Sequence, residues 1–343
     1  MIEKLNIREK IEEREANLSP HAVRSTDSRG RVKPEEPDPI RTAFQRDRDR
    51  IIHAKAFRRL KHKTQVFIAP RGDHYATRLT HTLEVSQIAR TISRSLDLNE
   101  DLTEAMAMGH DLGHTPFGHV GEDVLNELFG GGFRHNEQSL RVVDVLENEG
   151  RGLNLTWEVR DGILNHSKST EKILEGWAAM NTLEGEVCRV ADFIAYINHD
   201  IDDAMRSGII GEKDIPGESV KVLGNSNRKR INTMVLDIIE QSWPVSGNVP
   251  GAISVNMSDR VKKATNVLRE FLFEKVYIPN DGWEETRKAK DIVRFLYEYF
   301  SEDGTRLPDE FKWNEEIPGQ GAVDYIAGMT DQYAADLAEK LRQ

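Results

Sequence analysis

Residues 183–204 read LEGEVCRVADFIAYINHDIDDA, and their apolar side chains recur every three or four positions. This spacing is typical of one face of an α-helix. Shorter stretches with the same spacing occur elsewhere in the chain, at 85–96, 120–128, 140–146, 231–239, 261–272, 292–300 and 323–341. Strand-like alternation is limited to a short hairpin candidate around 64–69. The sequence therefore predicts an all-α fold.

Composition excludes several classes of protein. The 343 residues are 38% apolar with a net charge of −11, which argues against general coating of nucleic acid. The single cysteine excludes a disulfide framework and a cysteine-rich zinc site, and it favours a reducing compartment. The first twenty residues carry no signal-like apolar run, and no run has the length of a membrane span. We expect a cytoplasmic protein with no membrane partner.

Two polar connections suggest how the chain is divided. Residues 24–39 are polar with three prolines, and residues 244–258 are rich in Pro, Gly and Ser. We predict an N-terminal arm and loop over 1–49, a catalytic core over 50–205 and a C-terminal helical region over 206–343.

Five of the eleven histidines crowd into one short region: His81, His110, His114, His119 and His135. Neutral imidazole is the commonest metal ligand, and carboxylates extend its range to harder cations. We predict that His110 and Asp111 end a short helix beginning near Glu100, where the turning backbone lets both side chains meet one ion.

Asp192 is the best candidate for a further oxygen ligand. Helical geometry places Asp192, Tyr196, His199 and Asp203 opposite the apolar stripe, with Asp200 at the edge. These polar residues fit either the wall of a site or an ordinary solvent-exposed face.

A basic stretch between Arg41 and Lys63 contains nine Lys or Arg and two acidic residues, a local charge of about +7. One interpretation is a solvated helix face. The other is a site for a polyanion, either a triphosphate or a single nucleic-acid strand.

The pattern His81, His110-Asp111, Asp192 resembles the H…HD…D signature of the HD phosphohydrolases. Longer blocks resemble the deoxyguanosine triphosphate triphosphohydrolase family within it. They are LSPHAVRSTDSRGR (18–31), RRLKHKTQVF (58–67), TRLTHTLEV (77–85), HDLGHTPFGHVGE (110–122), FRHNEQS (133–139), VADFIAYINHDIDDA (190–204) and GMTDQYA (328–334). The resemblance implies an HD-domain helical bundle over the core and a homo-oligomer.

The resemblance also assigns roles to individual residues. It implies one divalent metal held by His81, His110, Asp111 and Asp192. It makes His119 the catalytic histidine and Glu122 its orienting acid. It places the remaining residues around the substrate: His114, His135 and Arg78 near the phosphates, and Gln65, Tyr196 and Asp200 at the deoxyribose. His114 stands where some relatives carry Asn. Arg59, in the RRLKHKTQVF block, is a further candidate for triphosphate contact.

The chemistry is consistent with this assignment. Two imidazoles and two carboxylates suit Mn²⁺, Mg²⁺, Fe²⁺, Co²⁺ or Zn²⁺. His119 and Glu122 form either an acid–base pair or an i,i+3 surface pair of little consequence. We expect hydrolysis of a deoxynucleoside triphosphate (dNTP) to deoxynucleoside and triphosphate, by metal-activated water attack on the α-phosphate.

Two alternatives remain open: another HD nucleotide phosphohydrolase or phosphodiesterase, and a nucleic-acid-binding regulatory protein with a structural metal. The preferred dNTP, the native metal and any requirement for a dNTP activator are not encoded in these motifs.

Overall fold

The computed structural model describes residues 5–68, 75–167, 173–174, 180–280, 282–312 and 317–343. These ranges contain fifteen α-helices of five residues or more. They are α1 Ile7–Arg14, α2 Ala43–His53, α3 Lys55–Arg59, α4 Arg78–Ser95, α5 Glu100–Gly109, α6 His119–Leu128, α7 His135–Arg141, α8 Trp157–Asn165, α9 Leu183–Arg206, α10 Gly217–Leu223, α11 Asn227–Gln241, α12 Asp259–Leu272, α13 Glu284–Glu302, α14 Gln320–Ala327 and α15 Asp331–Arg342.

Pairing of the β type is limited, within those ranges, to isolated bridges between Arg31 and Thr156 and between Thr64 and Thr77. The predicted all-α fold is confirmed. Thr64 pairs with Thr77 rather than forming a hairpin within 64–69. Residue 69 lies outside the described residues.

The chain divides into two compact units. The first comprises the described residues of Met1–Ile52, Thr82–His110 and Asn154–Val276. Its central element is α9, which packs against α5, α8, α11 and α12. The Thr182 side chain begins α9 by accepting a hydrogen bond from the backbone N–H of Gly185 at 3.1 Å. The single cysteine, Cys188, lies on α9 and is 2% exposed, and burial raises the pKa of its thiol.

The second unit comprises the described residues of His53–His81, Asp111–Leu153 and Tyr277–Gln343. Helix α13 packs against α6, α14 and α15. Their apolar side chains form one buried cluster, whose members include Val124, Leu125, Phe129, Val293, Leu296, Phe300, Ile326 and Ala334. The domain division at residues 49 and 205 stays a prediction.

One helix predicted from the sequence is two in the structure. The apolar spacing over 323–341 predicts a continuous helix, but α14 ends at Ala327 and α15 begins at Asp331. Thr330 starts the second helix because its hydroxyl accepts from the Tyr333 backbone N–H at 3.3 Å. Apolar periodicity alone does not detect such a break.

Candidate active site

The segment His110–Gly118 joins α5 to α6 and brings its histidines close together. Helix α5 ends at Gly109 with His110 as its C-cap, as predicted. Gly113 leaves no room for a side chain, because an added Cβ would lie 2.1 Å from the backbone N of Ser139. Phe117 and Gly118 both adopt positive φ, and the chain then enters α6 at His119. The tight turn thus sets where the first side chain of α6 points.

Three histidines and one glutamate form a cluster in the second unit. The imidazoles of His119 and His135 each donate from Nδ1 to the Glu122 carboxylate at 2.9 Å. The His114 and His135 rings stack nearly parallel, 4.2 Å between centroids. A metal lies in the plane of each imidazole that binds it, so parallel stacking disfavours one ion shared by these two rings. The arrangement suits proton transfer better than metal binding.

The residues of this cluster have pKa values shifted in different directions. Burial raises the pKa of Glu122, but attraction to His135 and hydrogen bonds from both histidines outweigh it, so the net shift is strongly downward. Desolvation lowers the pKa of His119, and the hydrogen bond and charge of Glu122 outweigh it, so that pKa is raised. Burial, with the nearby Arg78 charge, holds the pKa of His114 well below its usual value. Glu122 therefore favours the protonated form of His119, whose side chain is 62% exposed and so is less desolvated than its buried neighbours.

Arg78 lies next to this cluster and is directed by Asp111. Its Nη1 donates to the Asp111 carboxylate at 2.8 Å, and both side chains are buried. Several buried polar atoms here have no hydrogen-bond partner among the described residues: Nε and Nη2 of Arg78, Oε1 of Gln65 and Nδ1 of His114. Buried polar groups are normally paired, so these atoms are suited to a polar ligand or to water.

In the first unit, His110 and Asp192 come together. Each offers a ligand atom within 4.8 Å of the other. The His110 Nδ1 lies 2.6 Å from the Ala107 carbonyl, which fixes the ring orientation. The remaining proposed ligands are both buried: His81 lies in the first turn of α4, and Asp111 follows His110 directly.

The predicted polar face of α9 is mostly buried, so the solvent-face interpretation is wrong for His199, Asp200 and Asp203, which are 5%, 2% and 5% exposed. Asp200 pairs with the His199 imidazole at 2.8 Å. Burial raises the pKa of Tyr196, and the nearby Arg269 charge opposes that shift.

The basic stretch splits into two parts with different surroundings. Its N-terminal arginines are neutralised: Arg46 pairs with Glu35, and Arg48 pairs with Asp49 and Glu104. Four cations further on have no ion-pair partner in the described part of the chain: Lys55, Arg58, Arg59 and Lys61. The last cation of the stretch, Lys63, is buried.

Two residues that the sequence did not single out contact predicted ones. The His166 ring packs edge-on against His110, 5.0 Å between centroids. Arg269 lies close enough to Tyr196 to act on its pKa, from 73 positions away in the chain. His166 carries no motif, and a long-range pairing leaves no trace in one sequence.

Comparison with known protein families agrees with this geometry. Residues 78–197 match the HD domain, and residues 255–340 match the phosphohydrolase-associated domain. The chain is thus an HD-domain phosphohydrolase.

Its relatives define the family more narrowly. It is 57% identical over 333 residues to a deoxyguanosinetriphosphate triphosphohydrolase-like protein of Caldanaerobacter subterraneus, covering 96% of this chain and 94% of the relative. Proteins of the same name from Desulfatibacillum aliphaticivorans (98% of each chain) and Clostridium tetani (97% and 95%) are 50% and 47% identical. The chain belongs to this family.

A solved structure of a hypothetical protein from Aquifex aeolicus covers 85% of this chain and 67% of its own, with 17% identity and a TM-score of 0.47, too weak a likeness to bear on the site. None of the helices in the described residues is both long and apolar enough to span a membrane.

Proposed function

We propose that this protein hydrolyses dNTPs to deoxynucleoside and intact triphosphate. One observation carries the proposal: Glu122 holds His119 and favours its protonated form, which makes His119 a suitable proton donor. Beside it lie buried polar atoms of Arg78, His114 and Gln65 that have no protein partner among the described residues. A cationic guanidinium and an uncharged imidazole are suited to phosphate oxygens, and a proton donor is suited to a leaving alkoxide.

We assign one divalent metal to His81, His110, Asp111 and Asp192. The proximity of His110 and Asp192, and a donor set of two imidazoles and two carboxylates, fit Mn²⁺, Mg²⁺, Fe²⁺, Co²⁺ or Zn²⁺. Such an ion, when bound, polarises phosphate oxygens and lowers the pKa of water.

The chain's own groups perform the remaining tasks. As water attacks the α-phosphorus and the bond from that phosphorus to the nucleoside oxygen breaks, His119 donates a proton to the leaving oxygen. Glu122 holds the His119 ring in place and stabilises its protonated form. Breaking this bond leaves the three phosphates joined. Arg78, with Nη1 fixed by Asp111, directs its other nitrogens toward phosphate oxygens.

Further contacts are assigned to the rest of the substrate. His114 and His135 line the phosphates, and Arg59 contacts the triphosphate. The deoxyribose is held by Gln65, Asp200 and Tyr196. The Tyr196 ring packs against C2′, so an added 2′-hydroxyl would lose water without gaining a partner.

A nucleic-acid strand is a second candidate ligand, because Lys55, Arg58 and Lys61 are exposed cations with no acidic partner in the described residues. Charge reversal of Arg58 and Lys61 should weaken binding of single-stranded oligonucleotides and reduce its salt dependence. Reversal of the neutralised Arg46 and Arg48 should do neither. Equal effects of the two double variants would remove this candidate.

A homo-oligomer, a dNTP activator and a cytoplasmic location remain expectations carried from the sequence. Light scattering tests the first, and turnover of one dNTP with and without a second dNTP tests the second.

The deciding experiment incubates metal-loaded protein with each dNTP and each ribonucleotide in ¹⁸O-water, and separates the products by chromatography. Triphosphate carrying the label and unlabelled deoxynucleoside are expected. Nucleoside mono- or diphosphate as the main product would overturn the proposal in favour of another HD phosphohydrolase reaction. If no nucleotide is turned over, the proposal is refuted and the protein hydrolyses a different class of substrate.

A further inference from the structure

The turn between α14 and α15 ends in a carboxylate that joins two separate segments of the second unit. Asp331 Oδ1 accepts a hydrogen bond from the backbone N–H of Phe117 at 2.9 Å. Its Oδ2 accepts from the backbone N–H of Thr64 at 2.8 Å. One side chain from the C-terminal region thus ties together two stretches that lie 53 positions apart in sequence.

The Phe117 end of this bridge supports a strained turn. Phe117 has φ of +62°, a conformation that side-chain-bearing residues seldom adopt and that persists only where the surroundings hold it. Its neighbour Gly118 is also at positive φ, and the Gly118 carbonyl accepts from the Thr115 hydroxyl at 2.7 Å. His119 follows directly as the first residue of α6. A change in the turn would therefore re-aim the His119 side chain.

The Thr64 end of the bridge supports the segment that carries Gln65 and faces that turn. Thr64 precedes Gln65 and bridges to Thr77, which precedes Arg78. The two segments are in close approach, because a Cβ added at Gly118 would lie 3.0 Å from Arg78 Nη2 and 3.2 Å from the Gln65 carbonyl. Asp331 thus fixes the distance between the residue that delivers the proton and two residues that meet the substrate.

A second contact from the same turn runs parallel to the first. The buried Lys63 ammonium donates to the Ala327 carbonyl at 2.7 Å and also to the carbonyl of His114. Lys63 thus links the end of α14 to His114, and Asp331 links the start of α15 to Phe117. A continuous helix over 323–341 would not provide this turn.

We infer that Asp331 is a positioning residue for the reaction: it sets the turn before His119 against the segment carrying Gln65 and Arg78, without touching substrate. The kinetic part of this inference rests on the proposed function. The structural part does not, because the two backbone hydrogen bonds can be observed directly.

Asp331→Asn tests the bridge. Asparagine offers one acceptor oxygen, and its amide group would face the second backbone N–H donor to donor, so at least one of the two bonds is lost. With dNTP substrate and saturating metal, kcat should fall roughly 10- to 100-fold, the scale of a small misplacement of reacting groups, and KM should change less than about threefold. Bound metal should be unchanged by elemental analysis.

Hydrogen–deuterium exchange gives the readout independent of turnover. In Asp331→Asn, peptides containing the Phe117 and Thr64 amides should exchange faster than in the wild type, and those from α9 should not.

Thr330→Ala is the matched control, because it removes the cap of α15 while leaving both Asp331 bonds in place. It should lower the melting temperature and keep kcat within about threefold. Asp331→Glu, which keeps two acceptor oxygens, should fold and retain more kcat than the asparagine variant.

Unchanged exchange at Phe117 and Thr64, or equal loss of kcat in Thr330→Ala, would overturn the inference. Failure of both Asp331 variants to fold would also overturn it, because the residue would then be required for the fold itself. If the wild type hydrolyses no dNTP, the proposed function fails, whereas faster exchange in Asp331→Asn would still support the bridge.

Discussion

Replacing Glu122 with Gln tests the proton donor most directly. Glu122 accepts from Nδ1 of both His119 and His135 at 2.9 Å, and its side chain is only 13% exposed. Glutamine has one acceptor oxygen, so one imidazole N–H would face the amide group instead. A hydrogen bond to a charged group contributes about 1.5–3 kcal/mol. If that bond is made fully in the transition state, its loss lowers kcat roughly 10- to 150-fold.

The variant should also change the pH dependence. The Glu122 carboxylate raises the pKa of His119 against the opposing effect of desolvation, so the protonated donor persists to higher pH in the wild type. Activity that needs protonated His119 falls as pH rises through this pKa. Without the carboxylate the pKa drops, and the alkaline fall in kcat should move to lower pH.

The assay is dNTP turnover at saturating substrate between about pH 5.5 and 9. Glu127→Gln is the control, because Glu127 lies on the same helix but pairs with Arg294 at the surface. That variant should match the wild type in both rate and profile. A Glu122→Gln enzyme with unchanged kcat and an unchanged alkaline limb would refute the assignment of His119 as the acid.

Three other variants test separate parts of the molecule. Asp111→Ala should lose most of its bound metal, measured by elemental analysis, and with it activity, since it removes a proposed metal ligand and the partner of the Arg78 guanidinium; full metal content would contradict the proposed ligand set. Tyr196→Ala should narrow the preference for dNTP over ribonucleotide by roughly tenfold, the effect of one unpaired hydroxyl, in a competition assay; an unchanged ratio would remove Tyr196 from the sugar site. Glu184→Gln should raise the melting temperature above that of the wild type by more at pH 8 than at pH 5. Burial raises the pKa of Glu184 to about 7, so the folded state binds a proton that the unfolded chain releases above about 4.5, and wild-type stability falls by roughly 3 kcal/mol across that window. Equal pH dependence in both proteins would show that Glu184 is not the group responsible.

The helices were predictable because apolar spacing records which face of each is buried. The stripe from Leu183 to Ile201 found α9, and the position of His110 at a helix end was correct. The same reasoning wrongly predicted one continuous helix in place of α14 and α15. A break made by one capping hydroxyl leaves the apolar spacing almost intact.

The candidate site was predictable in its residue types more than in its contacts. Histidine spacing indicated the cluster around His119 and Glu122, which the structure brings together. The stacking of His114 on His135, and the bond from Asp331 to Phe117, depend on the path of the backbone between distant segments. Likewise, net charge along the sequence could not distinguish Arg46, which is neutralised by Glu35, from Arg58.

The burial of Cys188 has a practical consequence. A thiol that is 2% exposed, with its pKa raised by burial, is almost wholly protonated at neutral pH and out of reach of maleimides and iodoacetamides. Because the chain has no other cysteine, a cysteine introduced at an exposed position would be the one reactive site for a fluorophore or spin label in the folded protein. Pairs of such labels could then report distances across the molecule in solution while the native thiol stays in place.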